Sequence, residues 1–273
     1  MTEALARELV GILRRAAALI RDVYAQPFAI EFKGPGDPVT LADRRANEVI
    51  CEALARRFPG IPVVAEESQD DSFAGFREAP SVFFVDPLDG TREFIERRRE
   101  FVTMIGLLDG ARAALGVVVD PTTDVAYWGG PGLAAARLDE RDVSSPLRTS
   151  ETTSLAEAHV VASRRRPAAV SRHLALRLGV RSLTALGSAG MKGVAVATGA
   201  ADAYVTPRFG GGRWDACAID ALITGAGGRF TDADGAPVAY RGPGLVNDQG
   251  LLGSNGPLHE ALLDRLAPLR RGL

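Results

Sequence analysis

Five short apolar runs follow one another between residues 61 and 129: IPVVA (61–65), SVFFV (81–85), FVTMIGLL (101–108), RAALGVVVD (112–120) and DVAYWG (124–129). Each is bounded by turn residues and rich in β-branched or aromatic side chains, so each reads as a strand. Strands this close together leave no room for crossover helices between most of them and predict an antiparallel or mixed sheet. Two helices precede the sheet. Residues 2–24 place Leu5, Leu9, Ile12, Leu13, Ala16, Leu19, Ile20 and Val23 at helical spacing, and a second helical pattern covers about 41–58.

The pattern changes after DERDVSSPLRTSETTS (139–154), which is polar and aperiodic. Beyond it strands at 159–163, 182–186 and 202–206 alternate with helices at 167–178, 189–198 and 215–225. Alternation of that kind predicts an α/β layer with helices on the sheet. The expected division is an N-terminal α+β subdomain, residues 1–145, and a C-terminal α/β subdomain, residues 146–273. No internal repeat or low-complexity tract interrupts either.

Composition excludes several classes of function. Of 273 residues 46% are apolar, enough for a sizeable core. Lys plus Arg at 32 against Asp plus Glu at 34 gives a net charge of −2, so nothing draws the chain as a whole to a nucleic-acid polymer or an anionic membrane. The two cysteines, Cys51 and Cys217, are too few for a disulfide framework and too far apart for C-x-x-C, which points to a reduced cytoplasm. Charges at Glu3, Glu8, Arg14 and Arg15 break up the N-terminal apolar segment, so neither a secretory leader nor stable membrane insertion is expected.

Four segments combine carboxylates with sharp turns: GDPVTLAD (36–43), VVAEES (63–68), VDPLDGT (85–91) and GRWDACAID (212–220). In the third, Pro87 is expected to end the preceding strand and force a turn. Asp86 and Asp89 then converge, with the Leu88 carbonyl as a further hard oxygen of the sort Mg²⁺ takes. Gly90 admits a ligand to the backbone, and Thr91 stands where a helix could begin and offer free N–H groups to a phosphate. The same seven residues serve equally as a turn followed by a Thr-capped helix. Glu66 and Glu67 alone suit a solvated strand end. Thr40-Leu41-Ala42-Asp43 has capping-box spacing and could start the second helix with no further role, and Trp214-Asp215 could be a helix N-terminus. Phosphatases of the haloacid dehalogenase type carry D-x-D-G-T with a nucleophilic first aspartate. Here Pro87 holds that place, so the spacing favours a metal site with activated water as the attacking group.

Together the four segments resemble the lithium-sensitive phosphomonoesterase superfamily that includes inositol monophosphatases and bisphosphate nucleotidases. Its D-P-[IL]-D-G-T signature, E-E pair about twenty residues upstream and W-D far downstream are all present in order. VDPLDGTREFIERRREF, PRFG and GSAGMKGVAVATGAADAYV are most similar to 3'(2'),5'-bisphosphate nucleotidases of the CysQ type, with Arg92-Glu93-Phe94 where inositol monophosphatases more often have T-N-F.

The resemblance implies an inositol-monophosphatase-like α-β-α-β-α sandwich with two or three Mg²⁺ ions per active site. It assigns Glu66, Asp86, the Leu88 carbonyl, Asp89 and Asp215 as metal ligands. Asp43 and Thr91 would orient the attacking water with help from Glu66, and the Gly90 and Thr91 amides would receive the scissile phosphate. Glu67 would support its neighbour, and Ser163, Arg164, Gly187, Ser188, Lys192 and Asp215 would contact substrate. Where many relatives have S-R-S-H this chain has Ser163-Arg164-Arg165-Arg166, and arginine can bind a second phosphate bidentately or simply solvate a helix start.

The implied activity is hydrolysis of adenosine 3',5'-bisphosphate to AMP and phosphate, which would clear a by-product of sulfate assimilation, with sensitivity to Li⁺ and Ca²⁺. The alternatives are an inositol or sugar phosphate phosphatase and a catalytically silent metal- or phosphate-binding regulator. The expected partner is a small phosphorylated molecule, and the chain is expected as a monomer or homodimer.

Overall fold

The computed structural model describes residues 1–34, 36–68, 73 and 75–271; residues 272 and 273, at the end of the second expected subdomain, lie outside that range. Helix α1 (Glu3–Tyr24) begins where the Thr2 hydroxyl accepts the Leu5 N–H, and it buries Leu9, Leu13, Ala16 and Ile20 along one face. A hairpin of β1 (Ile30–Gly34) and β2 (Asp37–Thr40) leads into α2 (Leu41–Arg57). Next come β3 (Val63–Ala65), β4 (Ser81–Asp89), the short α3 (Thr91–Ile95), β5 (Val102–Asp109), β6 (Arg112–Val119), β7 (Ala126–Gly130), β8 (Leu133–Leu138) and β9 (Ser144–Pro146). The seven strands β3 to β9 form one sheet in chain order; β3 and β4 run parallel and the other pairs antiparallel. The polar stretch 139–154 therefore contributes a strand, β9, paired with β8 at the sheet edge.

The second half runs β10 (His159–Ser163), α4 (Ala168–Leu178), β11 (Ser182–Leu186), α5 (Ala189–Ala197), β12 (Ala203–Thr206), α6 (Arg213–Gly225), β13 (Arg229–Thr231), β14 (Leu251–Ser254) and α7 (His259–Arg271). Its five-stranded sheet has the order β11-β10-β12-β14-β13, with the first three parallel and the last two pairs antiparallel.

Side-chain alternation along the strands sets the layers. In β4, Phe83 and Val85 pack with α1 and α2, while Val82 and Phe84 pack on the opposite side with α6. In β10, Val161 joins the same inner core, while Val160 and Ala162 pack outward with Leu174 and Leu178 of α4 and Leu262 and Leu266 of α7. The order is helix, sheet, helix, sheet, helix: an α-β-α-β-α sandwich.

Helix α6 lies directly on the seven-stranded sheet because glycines face it. A Cβ on Gly116 would stand 1.8 Å from the Ala218 carbonyl oxygen, and one on Gly106 would stand 2.6 Å from the Ala218 nitrogen. That close approach brings the first turn of α6 to the end of β4.

The expectation that Pro87 ends the strand needs correction. Strand β4 runs on to Asp89, but its register shifts: Asp86 pairs with Met104 and Asp89 with Val102, three steps on one strand against two on the other. Pro87 sits inside this bulge, where no ladder N–H is required of it, and the Leu88 N–H turns to Asp86 Oδ1 at 3.1 Å. In a regular strand residues three apart face opposite sides. The extra residue lets Asp86 and Asp89 meet on one side.

Candidate active site

Carboxylate oxygens of Asp86, Asp89 and Asp215 lie within 4.8 Å of one another, the first two from the β4 bulge and the third from the first turn of α6. Each is oriented by the fold. Asp89 Oδ2 accepts the Ser188 hydroxyl and the Gly190 N–H, both at 2.5 Å, and Asp215 Oδ2 accepts the Gly212 N–H at 2.6 Å. Burial pushes the Asp86 carboxyl well above the usual carboxylate range, and the charges of Glu66, Asp89 and Asp215 push it further. Burial does the same to Asp215, followed by the charges of Asp89 and Glu66. Three crowded acids, two of them held above the usual carboxylate range, are stabilised by a cation, and an all-oxygen donor set suits a hard divalent one. The residues present thus fit the metal that the sequence implied.

Glu66 stands beside this cluster and outside it. Its Oε1 is 3.2 Å from the Lys33 ammonium, which also holds Glu67 Oε1 at 2.6 Å. Burial raises Glu66 to about 7 against the pull of Lys33. Burial lowers the Lys33 pKa, but the attraction of Glu66 and Glu67 outweighs it and the net shift is upward. Lys33 reaches the pair from β1, a hairpin strand to which the sequence reading gave no role.

Asp43 and Thr91 meet across the fold, with the Thr91 hydroxyl donating to Asp43 Oδ1 at 2.8 Å. The other oxygen, Oδ2, accepts the Thr40 N–H at 2.8 Å and the Thr40 hydroxyl at 2.6 Å, which closes the capping box of α2. Burial raises the Asp43 pKa and its hydrogen bonds to Thr40 and Thr91 oppose that rise. Gly90 precedes Thr91 at φ +102°, and a Cβ there would lie 2.7 Å from the Glu100 carbonyl oxygen, so only glycine fits this turn.

From Asp89 and Asp215 a cavity of about 320 Å³ opens outward, lined also by Ser163, Gly187, Lys192 and Phe209. Lys192 is buried beneath it, donating to the Gly187 and Ser188 carbonyls at 2.6 and 2.7 Å. Burial lowers its pKa to about 8, although Asp89, Asp215 and Glu93 favour its charge.

The arginine run divides. Arg164, expected at the substrate, turns instead to Glu100, with Nη2 2.5 Å from Oε1 and 2.7 Å from Oε2, and Glu100 Oε2 also accepts the Gly187 N–H at 3.0 Å. Arg165 and Arg166 line the cavity in its place. The sequence named the run but could not order it, because which of three consecutive side chains faces a cavity depends on how the strand end twists. Of the Arg92-Glu93-Phe94 segment, Phe94 is core, stacked among Tyr24, Phe28 and Phe101. Glu93 is packed against Gly187, where a Cβ would stand 2.1 Å from its Cδ.

Comparison with known proteins agrees with this geometry. The model of the inositol monophosphatase family matches residues 1–271. The 3'(2'),5'-bisphosphate nucleotidase CysQ of Escherichia coli O157:H7 is 34% identical over 243 residues, covering 85% of this chain and 92% of its own. The inositol-1-monophosphatase of Bacillus subtilis is 27% identical over 267 residues, covering 95% of each. The crystal structure of CysQ from Bacteroides thetaiotaomicron superposes with a TM-score of 0.77 at 27% identity, over 93% of this chain and 98% of that one. With the acidic cluster, the Asp43–Thr91 pair and a match along nearly its whole length, the chain belongs to the inositol monophosphatase family of metal-dependent phosphoric monoester hydrolases.

Proposed function

We infer that the chain is a Mg²⁺-dependent phosphomonoesterase whose substrate is adenosine 3',5'-bisphosphate, released as AMP and phosphate. The carrying observation is the convergence of Asp86, Asp89 and Asp215 within 4.8 Å beside the Asp43–Thr91 hydrogen bond. The similarity to CysQ and the arginine-lined cavity next to those acids support the nucleotide substrate.

Asp86, Asp89 and Asp215, with the Leu88 carbonyl and Glu66, would hold the cations; when bound, these would neutralise the phosphate and ease deprotonation of the attacking water. The chain's own groups do the rest. Asp43 takes the hydrogen of the Thr91 hydroxyl, so the Thr91 oxygen presents its lone pairs to a water and points that water's oxygen at phosphorus. Glu66, set beside the cluster with Glu67 and Lys33 behind it, steadies the same water. The Gly90 and Thr91 amides face the phosphate oxygens as charge builds on them. Water oxygen bonds to phosphorus and gives up a proton to solvent, the ester P–O bond breaks, and the leaving alkoxide takes up a proton from solvent, so that one water is consumed. Ser163, Gly187 and Lys192 border the space for the rest of the substrate, with Arg165 and Arg166 as the cations for a second phosphate, while Ser188, expected to contact substrate, is buried and holds Asp89 instead. The unpaired Cys51 and Cys217 support the cytoplasm as its compartment.

Phosphate release from adenosine 3',5'-bisphosphate, inositol 1-phosphate and fructose 1,6-bisphosphate, each with Mg²⁺, tests this reading. The bisphosphate nucleotide is expected to be turned over fastest. Efficient hydrolysis of inositol 1-phosphate with an inert nucleotide would move the assignment to the inositol branch of the family, and no turnover of any ester would favour a silent regulator.

A further inference from the structure

Two phenylalanines among the described residues are exposed, Phe32 and Phe209, and only Phe209 borders the active-site cavity. Its residue is 70% exposed, so it contributes nothing to the core. Its backbone adopts φ +53°, a left-handed conformation that a bulky aromatic residue rarely takes. The chain holds it there from both sides. Before it, Arg166 Nη2 donates to the Thr206 hydroxyl at 2.9 Å, and that hydroxyl donates to the Arg208 carbonyl at 3.0 Å. After it, the Gly210 N–H donates to the Asn247 carbonyl at 2.7 Å, and the Asn247 N–H to the Gly211 carbonyl at 2.8 Å. An aromatic residue is thus held in a disfavoured backbone conformation, in solvent, on a cavity whose other borders include the carboxylates Asp89 and Asp215, the buried ammonium of Lys192 and the guanidinium groups of Arg165 and Arg166.

A cavity of about 320 Å³ lies at the small end of ligand pockets, roughly 300 to 1,000 Å³. Phosphate and hydroxyl groups are met by the charged lining; of the two aromatic residues that line the cavity, Tyr204 is buried with the Lys192 ammonium over its ring, which leaves Phe209 as the exposed aromatic face at the rim among the described residues. We propose that Phe209 is a specificity-determining residue, the platform on which the planar base of a nucleotide stacks while its phosphate lies at the acidic cluster. Every base has a π-face, so such a platform selects nucleotides over base-free phosphate esters and discriminates little among bases. The proposal rests on the nucleotide reading above and adds the element that recognises the base.

The test compares AMP with ribose 5-phosphate as competitive inhibitors, in an assay run on whichever ester the wild-type enzyme hydrolyses. Phe209→Ala is expected to raise the inhibition constant of AMP about tenfold, the scale of one base–aromatic stack, and that of ribose 5-phosphate far less. Phe209→Trp should retain AMP binding, and Phe209→Leu, which keeps apolar bulk without a ring, should behave as Phe209→Ala. Thermal unfolding of each variant confirms that the loop change leaves the fold in place. An AMP constant that moves less than twofold in Phe209→Ala, or equal losses for AMP and ribose 5-phosphate, would overturn the platform. Failure of the nucleotidase reading appears separately, as no phosphate release from adenosine 3',5'-bisphosphate by the wild-type enzyme.

Discussion

Thr91 gives its hydroxyl hydrogen to the one oxygen of Asp43 that helix capping leaves over. Oδ2 of Asp43 is committed to the N–H and hydroxyl of Thr40, and Oδ1 accepts from Thr91 at 2.8 Å. Capping box and catalytic pair are rival readings of GDPVTLAD, and one carboxylate makes the hydrogen bonds that each requires. The two roles separate by mutation. Thr40→Ala is expected to lower stability by about 1 kcal/mol, as loss of an N-cap does. Thr91→Ala is expected to reduce kcat by about 10² to 10⁴, the range for a positioned proton acceptor, with little change in the unfolding midpoint. Equal effects of both on kcat and stability would refute the division.

Asp215→Asn removes an ionisable group whose pKa burial, and then the charges of Asp89 and Glu66, raise. Without added metal this variant is expected to melt at or above the wild-type temperature, because a repulsion is relieved. In MgCl₂ the wild type should be stabilised and the variant should not, with phosphatase activity reduced at least a hundredfold. Melting curves with EDTA and with MgCl₂ measure both effects.

Arg164 and Arg166 should differ although they are two residues apart. Arg164 is committed to Glu100, and Arg166 lines the cavity and holds Thr206. Arg166→Ala is expected to raise the KM for the bisphosphate about tenfold, the scale of one charge-assisted contact. Arg164→Ala should act mainly on stability, by freeing Glu100 and the Gly187 turn. Steady-state kinetics with parallel unfolding curves will show whether the run divides this way.

Asp220 supplies a pH prediction away from the acidic cluster. It is half-buried in α6 and accepts the Tyr240 hydroxyl at 2.9 Å and the Thr224 hydroxyl at 3.5 Å; loss of solvation raises its pKa to about 7, against these hydrogen bonds. With the folded pKa above the unfolded value of 3.8, the folded state holds the proton longer, so this group's contribution falls as pH rises from about 4 to about 7 and is level above that. Asp220→Asn is expected to be more stable than wild type at pH 8 by a few kcal/mol, the margin closing toward pH 4. Urea unfolding of both proteins at pH 4.5 and 8 measures it, and a margin independent of pH would refute the assignment.

Gly116→Ala tests how Asp215 reaches the site. The added methyl would meet the Ala218 carbonyl oxygen of α6 at 1.8 Å, a backbone atom that cannot swing aside as a side chain could. Overpacking of that severity is expected to cost about 3 kcal/mol or more. Activity should fall in whatever fraction stays folded, because α6 carries Asp215.

Periodicity was sufficient to read α1, α2, five strands of the first sheet and the alternation of the second half, since burial of one face leaves its period in the chain. It gave no reading for β1, β2, β8, β9, β13, β14 or α7; β1 and β2 pair with each other alone, and β9 and β13 are three residues each. Strands of three to five residues, as β1, β2, β9, β13 and β14 are, carry no lasting period. Asp43, Glu66, Asp86, Asp89 and Asp215 were legible because their residue types and turns recur in a recognisable order. Lys33, Arg165 and Phe209 were not legible as site residues, because nothing local distinguishes them from solvated surface side chains.

The local chemistry of VDPLDGT is written in the chain: a proline that cannot join a ladder, a glycine that accepts φ +102°, and two acids with a hydroxyl beside them. The means by which the two acids share a side was not: a turn after Asp86 was expected, and the structure uses a bulge that appears only when β4 is paired with β5. Nor was the arrival of Asp215 from 126 residues farther along (215 − 89), which depends on glycines in one sheet letting a distant helix lie against it. Residue type is a local property, but convergence is set by packing between elements far apart in the chain, and that is where this site is made.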